Sequence, residues 1–336
     1  MIAPTRAVLE HHLAPIRSLM APDDVTELVI NQPGQAGIER KGGWEWHDVP
    51  ELTFDWLLTL ARAAAAATKQ DIRSDAPIVS TVLPSGERCQ FLIPPATLEG
   101  IVSVTIRKPS SINLTLADMI AGGVFDDTTI VGETLSDVDA KLLELLKAKN
   151  WGEFLPLAVT SRKNIIISGA TGSGKTTISK ALIQLIPEDE RLLTIEDARE
   201  LVVPHVNRVH MMYSKGDQGL AKIDAEHLLE SALRMRPDRI LLQELRDGTA
   251  FYYLRNVNSG HPGSITTVHA NSCAGAFEQL TLLVKQSNAG RDLGRDDIRG
   301  LLKSLVDVVL QAAKVNGRWV VNEAYFDPIS AELPTA

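Results

Sequence analysis

Apolar residues recur at helical spacing at Leu9, Leu13, Ile16, Leu19 and Met20, and the alanine-rich run 54–67 predicts a second helix. The polar face of the first segment is only weakly basic, so it is expected to dock on the protein's own core rather than lie on a membrane surface. Residues 25–31 predict a short strand. Residues 78–83 and 88–93 flank Pro84-Ser85-Gly86 as a hairpin, and 101–107 alternates like a further strand. The pattern predicts a smaller α+β domain over residues 1–130.

Residues 109–133 contain no long periodic element, and Gly122-Gly123 and Asp126-Asp127 punctuate them, so a linker is expected to begin there and to occupy 131–150. Ser136 is placed to cap a helix carrying Leu142, Leu143, Leu145 and Leu146, and a second helix is expected over 151–160. From Asn164 onward apolar strand-like runs alternate with helical ones. The strands fall at 164–168, 191–195, 239–243 and 264–268, with a helix at 178–185. Near the end, 306–312 and 318–325 flank Asn316-Gly317, a strong hairpin signal. Such alternation predicts an α/β domain over 151–336, a largely parallel sheet covered by helices.

Composition narrows the setting. The 336 residues are 44% hydrophobic and 23% charged, ordinary for a globular protein with room for two cores. A net charge of −8 gives no overall argument for nucleic acid as partner. Cys89 and Cys273 are too few for a disulfide framework and fit a reducing compartment. No apolar stretch reaches the roughly 20 residues of a spanning helix. His11, His12, Pro15 and Arg17 interrupt any signal-peptide core, so a cytoplasmic protein is expected.

The chemistry centres on Gly169, Ala170, Thr171, Gly172, Ser173, Gly174, Lys175, Thr176 and Thr177, a match to the phosphate-binding loop G-x-x-x-x-G-K-[ST] between a strand and a helix. Its glycines let successive backbone N–H groups turn inward toward phosphate oxygens, and the following helix adds partial positive charge. Lys175 is of the type that reaches the β- and γ-phosphates, and the Thr176 hydroxyl is a ligand for Mg²⁺. ATP and Mg²⁺ are the expected cofactors.

Three other apolar runs finish in polar residues: 191–195 in Glu196-Asp197, 239–243 in Glu244, and 264–268 in His269. Ligands of parallel sheets sit beyond the carboxyl ends of the strands, so all three ends are expected beside the phosphate loop. Glu244 stands where a Walker B acid would help hold Mg²⁺ through water, and Glu196 is free to act as the base that polarises water. Asp197 and Glu200 are weaker candidates that equally serve as caps or face solvent. His261 and His269 lack the spacing and companions of a zinc set. An imidazole that contacts a γ-phosphate fits His269 better. His205 either lines the same pocket or sits in an exposed loop. Arg88 and Arg107, with Arg73 just upstream, are candidates to neutralise charge on the transferring phosphoryl group, where an arginine supplied in trans is worth about 10³–10⁵ in rate.

In order, GATGSGKTT, LLTIEDARE, RMRPDRILLQELRD and GHPGSITTVHANS together resemble the four boxes of the secretion superfamily of ATPases. The chain is most similar to the traffic ATPases of type IV secretion and conjugation, the eleventh component of VirB-type systems. The resemblance covers the whole chain. It implies a RecA-like motor behind the N-terminal domain, a homohexamer that binds ATP between the domains, and peripheral association with the inner membrane. Implied partners are inner-membrane components of the secretion system and a transported protein or DNA–protein substrate. By the same resemblance Glu196 maps onto the catalytic acid, Glu244 onto the Walker B acid, His269 onto the histidine-box sensor, and Arg88 and Arg107 onto arginines near the phosphates. Gln243 departs from the glycine many relatives carry. The absence of paired CxxC motifs and of an Ala-Ile-Arg run favours the type IV assignment.

Two other classes remain in view. A nucleic-acid translocase would need a basic groove with stacking aromatics, against 5% aromatic residues and an acidic chain. A nucleotide-sensing scaffold would not need the two glutamates.

Overall fold

A computed structural model of the chain describes residues 4–109, 115–128, 135–214 and 219–329. The first domain comprises α1 (Pro4–Met20), β1 (Glu27–Gln32), β2 (Gln35–Arg40), β3 (Gly43–Asp48), α2 (Phe54–Ala67), β4 (Ile78–Val82), β5 (Arg88–Leu92) and β6 (Ser103–Arg107). Its strands form one antiparallel sheet in the order β3-β2-β1-β6-β5-β4. Leu9, Leu13, Ile16 and Met20 of α1 are buried in this domain's core, so the helix uses its apolar face on its own protein. Thr53 caps α2 by accepting from Trp56 N–H. The β2–β3 hairpin was not anticipated from the sequence, because charged and glycine residues break its alternation. It is held by Trp46, whose ring covers Gly37 so closely that a Cβ there would lie 2.9 Å from it.

α3 (Leu116–Ala121) follows, and residues 110–114 and 129–134 of the expected linker region lie outside the described residues. The second domain contains α4 (Asp137–Lys147), α5 (Trp151–Thr160), β7 (Ile165–Gly169), α6 (Lys175–Ile183), β8 (Leu192–Glu196), β9 (Arg208–Met212), α7 (Ala225–Ala232) and β10 (Arg239–Leu242). It continues with α8 (Thr249–Val257), β11 (Ile265–Val268), α9 (Cys273–Gln286), α10 (Arg295–Leu305), β12 (Val308–Val315) and β13 (Arg318–Phe326). Ser136 caps α4 as expected. Leu142 and Leu145 of α4 are buried with Phe154 of α5 and Ile165 of β7, so residues 137–147 of the stretch expected to be linker pack into the second core. An amphipathic helix gains more by covering the sheet than by spanning solvent.

The strands stack as β13-β12-β7-β11 and β10-β8-β9, the two groups joined by a bridge between Leu245 and Val268. All pairings are parallel except β12–β13. β7 is buried along its whole length, and α6 and α9 cover opposite faces. Asn316 and Gly317 both have positive φ, 50° and 79°, as a two-residue hairpin of the primed type requires.

The first domain docks on the β9 edge of the second sheet. Met212 N–H donates to Ala96 O, and Leu92 and Ala96 join a core containing Val209 and Met211. Arg191, fully buried, donates to Asn31 Oδ1 at 2.8 Å and to Met235 O at 2.8 Å. Gln90 donates to Ser231 Oγ at 2.8 Å.

Candidate functional site

The turn from β7 into α6 carries residues 169–177, the segment that matches the phosphate-loop pattern. Gly172 and Gly174 have φ of 75° and 91°, which side-chain-bearing residues rarely adopt. A Cβ on Gly169 would fall 2.4 Å from both Ala312 O and Ser173 Oγ, so only glycine lets the loop pass β12. The Ser173 hydroxyl is buried without a hydrogen-bond partner. Lys175 Nζ donates to Gly169 O at 2.7 Å and Ala170 O at 3.0 Å, drawn over its own loop, and burial lowers its pKa.

Residues 171–177 line a cavity of about 460 Å³ together with Glu200, Gln243, Glu244, Arg246, His269 and Trp319. The volume suits a small-molecule ligand. β10 and β11 end side by side, which sets His269 Nε2 2.6 Å from Glu244 Oε1 and His269 Nδ1 3.4 Å from Lys175 Nζ. An imidazole unprotonated on Nδ1 accepts from the Lys175 ammonium, while its Nε2 stands beside a Glu244 oxygen that is buried without a hydrogen-bond partner. Burial raises the Glu244 pKa, against the opposing pull of His269 and Lys175. Arg246 bridges Glu244 at 2.5 Å and Asp197 at 2.7 Å. The Thr176 hydroxyl lies 3.5 Å from Glu200 Oε2. Hard oxygen donors from Thr176 and Glu244 beside a glycine cradle fit a triphosphate with Mg²⁺.

Glu196 requires a correction. It is fully buried and does not line the cavity. Its Oε2 accepts from Glu200 N–H and Leu201 N–H, both at 2.8 Å, while Oε1 accepts from the Thr194 hydroxyl at 2.7 Å and contacts His210 Nδ1 at 3.2 Å. Burial alone would raise its pKa, but the His210, Leu201, Glu200 and Thr194 hydrogen bonds together outweigh burial and lower it. A carboxylate with both oxygens engaged and reduced proton affinity is a poor base. It fixes the turn that carries Glu200 to the cavity, so Glu200 takes the position expected of Glu196.

Within one chain the arginines lie away from this cavity, which leaves the role in trans that their sequence positions suggested as a proposal. Arg88 and Arg107 line a different cavity of about 590 Å³ with Glu27, Glu39 and Arg236. Their domain sits at β9, four strand spacings or about 19 Å from β7, so within one chain they do not reach the phosphate loop. Arg107 Nε lies 3.4 Å from Glu27 Oε1, and Arg73 pairs with Asp71 and Asp75 at the surface. His205 neither lines the pocket nor stands exposed: it is buried, with Nε2 within 2.9 Å of Pro187 O. His261 contacts Pro237 O at 3.1 Å, at the opposite end of β11 from His269.

Sequence reasoning did not single out Arg246, and it passed over Trp319 entirely. The first stands two residues after Glu244, a signal available in the sequence. Trp319 lies 143 positions beyond Thr176 in number, so no local pattern joins them.

The family described as Type II/IV secretion system protein matches residues 130–315. The chain is 51% identical to the type IV secretion system protein VirB11 of Bartonella henselae, over 96% of this chain and 94% of that protein. It is 40% identical to Protein VirB11 of Agrobacterium tumefaciens, over 89% of this chain and 88% of that one. It also superposes on the crystal structure of the VirB11 ATPase from the Brucella suis type IV secretion system, in complex with sulphate. That match has a TM-score of 0.91 at 41% identity and covers 96% of this chain and 99% of the other.

Proposed function

The chain belongs to the type II/IV secretion system protein family, among the VirB11 proteins, and on that premise we propose that it is a Mg²⁺-dependent ATPase that powers type IV secretion. Its fold is a RecA-like domain preceded by an α+β domain. The observation that carries the reading is that the phosphate loop, Glu244, Glu200 and His269 converge on one cavity.

The loop N–H groups and Lys175 bind the β- and γ-phosphates, exchanging the loop carbonyls that Lys175 contacts for phosphate oxygens. Thr176, and Glu244 through water, would hold Mg²⁺, which supplies positive charge to the phosphate oxygens when bound. Glu200 orients and deprotonates the attacking water. His269 touches both Lys175 and Glu244 and so senses whether the γ-phosphate separates them.

Because Arg88 and Arg107 lie far from their own chain's loop and Arg107 is 71% exposed, we assign them to the cavity of an adjacent copy in a homohexameric ring. ATP then binds between domains of different copies, and its hydrolysis changes the angle between them. The work drives transfer of a protein or DNA–protein substrate, or pilus assembly, from a cytoplasmic position at inner-membrane components of the system. No helix among the described residues is long and apolar enough to cross a membrane.

Lys175→Ala should abolish ATP turnover measured as phosphate release. Turnover near the wild-type rate would sink the ATPase assignment. Light scattering with and without ATP and Mg²⁺ tests the ring, and a monomer under both conditions argues against it.

A further inference from the structure

We propose that Trp319 is the platform on which the base of the bound nucleotide stacks, a subsite for a flat aromatic base on the β12–β13 side of the phosphate loop. This rests on the nucleotide reading of the cavity. Trp319 lies on β13 directly after the Asn316-Gly317 turn, and its indole covers Gly174, where a Cβ would meet ring atoms at 3.6–3.8 Å. The residue is nevertheless 65% exposed and lines the cavity. An uncovered indole is costly to leave in water, and here it stands at the mouth of a polar pocket.

The register of the hairpin shows how it came to face that way. Glu323 pairs with Gln311, but Ala312 pairs with Val321, so one extra residue, Asn322, sits on β13 at this point. Side chains alternate along a strand, and a single inserted residue inverts the alternation beyond it. Glu323 and Tyr325 face α9, where Glu323 accepts from Cys273 N–H and Tyr325 packs on Phe277. Without the bulge Trp319 would face α9 too. With it, Trp319 shares the face of Ala312, whose neighbours in the core include Leu182 and Ile183 of α6. Bulges commonly re-aim a side chain beside a site.

The strand order fixes which part of a nucleotide meets the ring. Glu244 and His269 end β10 and β11, on one side of β7, and mark the γ-phosphate end. The loop runs the phosphates back across β7, so the nucleoside emerges on the other side, where β12 and β13 lie. The only part of the ligand that matches an indole face is the base, and such stacking tolerates any base because each has a π-face.

The test uses the full chain and two ligands, MgADP and Mg-tripolyphosphate, of which only the first carries a nucleoside. Titration calorimetry on Trp319→Leu should show MgADP affinity lowered about 5- to 150-fold, with tripolyphosphate affinity unchanged. Trp319→Phe should retain MgADP affinity within about threefold, since the stack survives. Fluorescence of the wild type should be quenched by MgADP but not by tripolyphosphate, and this quenching should vanish in Trp319→Phe, which reads the contact even if the leucine variant does not fold. Equal MgADP affinity in Trp319→Leu and wild type, parallel loss of both ligands, or quenching that persists in Trp319→Phe would overturn the proposal. Failure of the wild type to bind MgADP at all would instead overturn the nucleotide reading.

Discussion

The two ends of the second domain's strands carry the same residue types in opposite circumstances. Where β8 and β10 begin, Arg191 and Arg239 are fully buried. Arg239 makes a two-pronged pair with Glu190, Nε at 2.7 Å and Nη2 at 2.8 Å, and donates to Val159 O at 2.9 Å. Where the strands finish, Lys175, Glu244, Arg246 and His269 contact one another around open space, and the side chains of Arg246 and His269 are 36% and 48% exposed. A buried charge is tolerable only when fixed partners saturate it, and at the strand starts the first domain supplies Asn31 and Thr105 to Arg191. A charge at a cavity can exchange its partners for a ligand. The starts are therefore built to hold two domains together, and the finishes are built to let go.

The contrast can be broken at either end. Glu200→Gln should lower ATP turnover by about 10²–10⁴-fold while leaving the urea midpoint unchanged, as loss of a base predicts. Its neighbour Glu196→Gln should instead lower stability, by about 1–3 kcal/mol, because two backbone N–H groups and a hydroxyl depend on that carboxylate. Comparable stability loss in both variants would erase the distinction between them. At the strand starts, Arg239→Met should cost about 3–5 kcal/mol in equilibrium unfolding, since it strands Glu190 in the core.

A fourth variant probes the border between the domains. Burial pushes the Glu27 pKa up to about 7, against the pull of Arg107. An unfolded glutamate releases its proton near the ordinary 4.5, so between these values the folded chain binds the extra proton and stability falls as pH rises. The loss from this one group across pH 4.5 to 7 is about 3 kcal/mol. Glu27→Gln should remove that part of the decline in urea melts at pH 5 and pH 8, and an undiminished slope would count against it. The smallest effect belongs to the cavity: Arg246→Ala should change unfolding free energy by about 0–1 kcal/mol, as a part-exposed pair allows. A cost near that of Arg239→Met would show that the two ends are not different in kind.

Much of this was legible in the chain. Residues 164–177 announce a buried strand, a glycine turn and a helix start in one run, because a phosphate cradle is built from consecutive backbone groups. The Trp151–Thr160 helix and the Asn316-Gly317 turn were equally local, decided by apolar spacing and by residues that accept positive φ. The β2–β3 hairpin escaped because Trp46 and Gly37 stabilise it across the sheet rather than along it.

What the sequence determined by itself was that a phosphate loop and several acids lie at strand ends of one parallel sheet. Which acid faces the ligand was a tertiary decision: Glu196 and Glu200 stand four residues apart in one box, and only the closing of the turn on buried Glu196 turns Glu200 outward. The placement of Arg88 and Arg107 was likewise decided by where the first domain docks, which depends on surfaces far apart in the chain. Local chemistry is written in consecutive residues. Its direction is set by packing, because burial and strand order are properties of the whole fold.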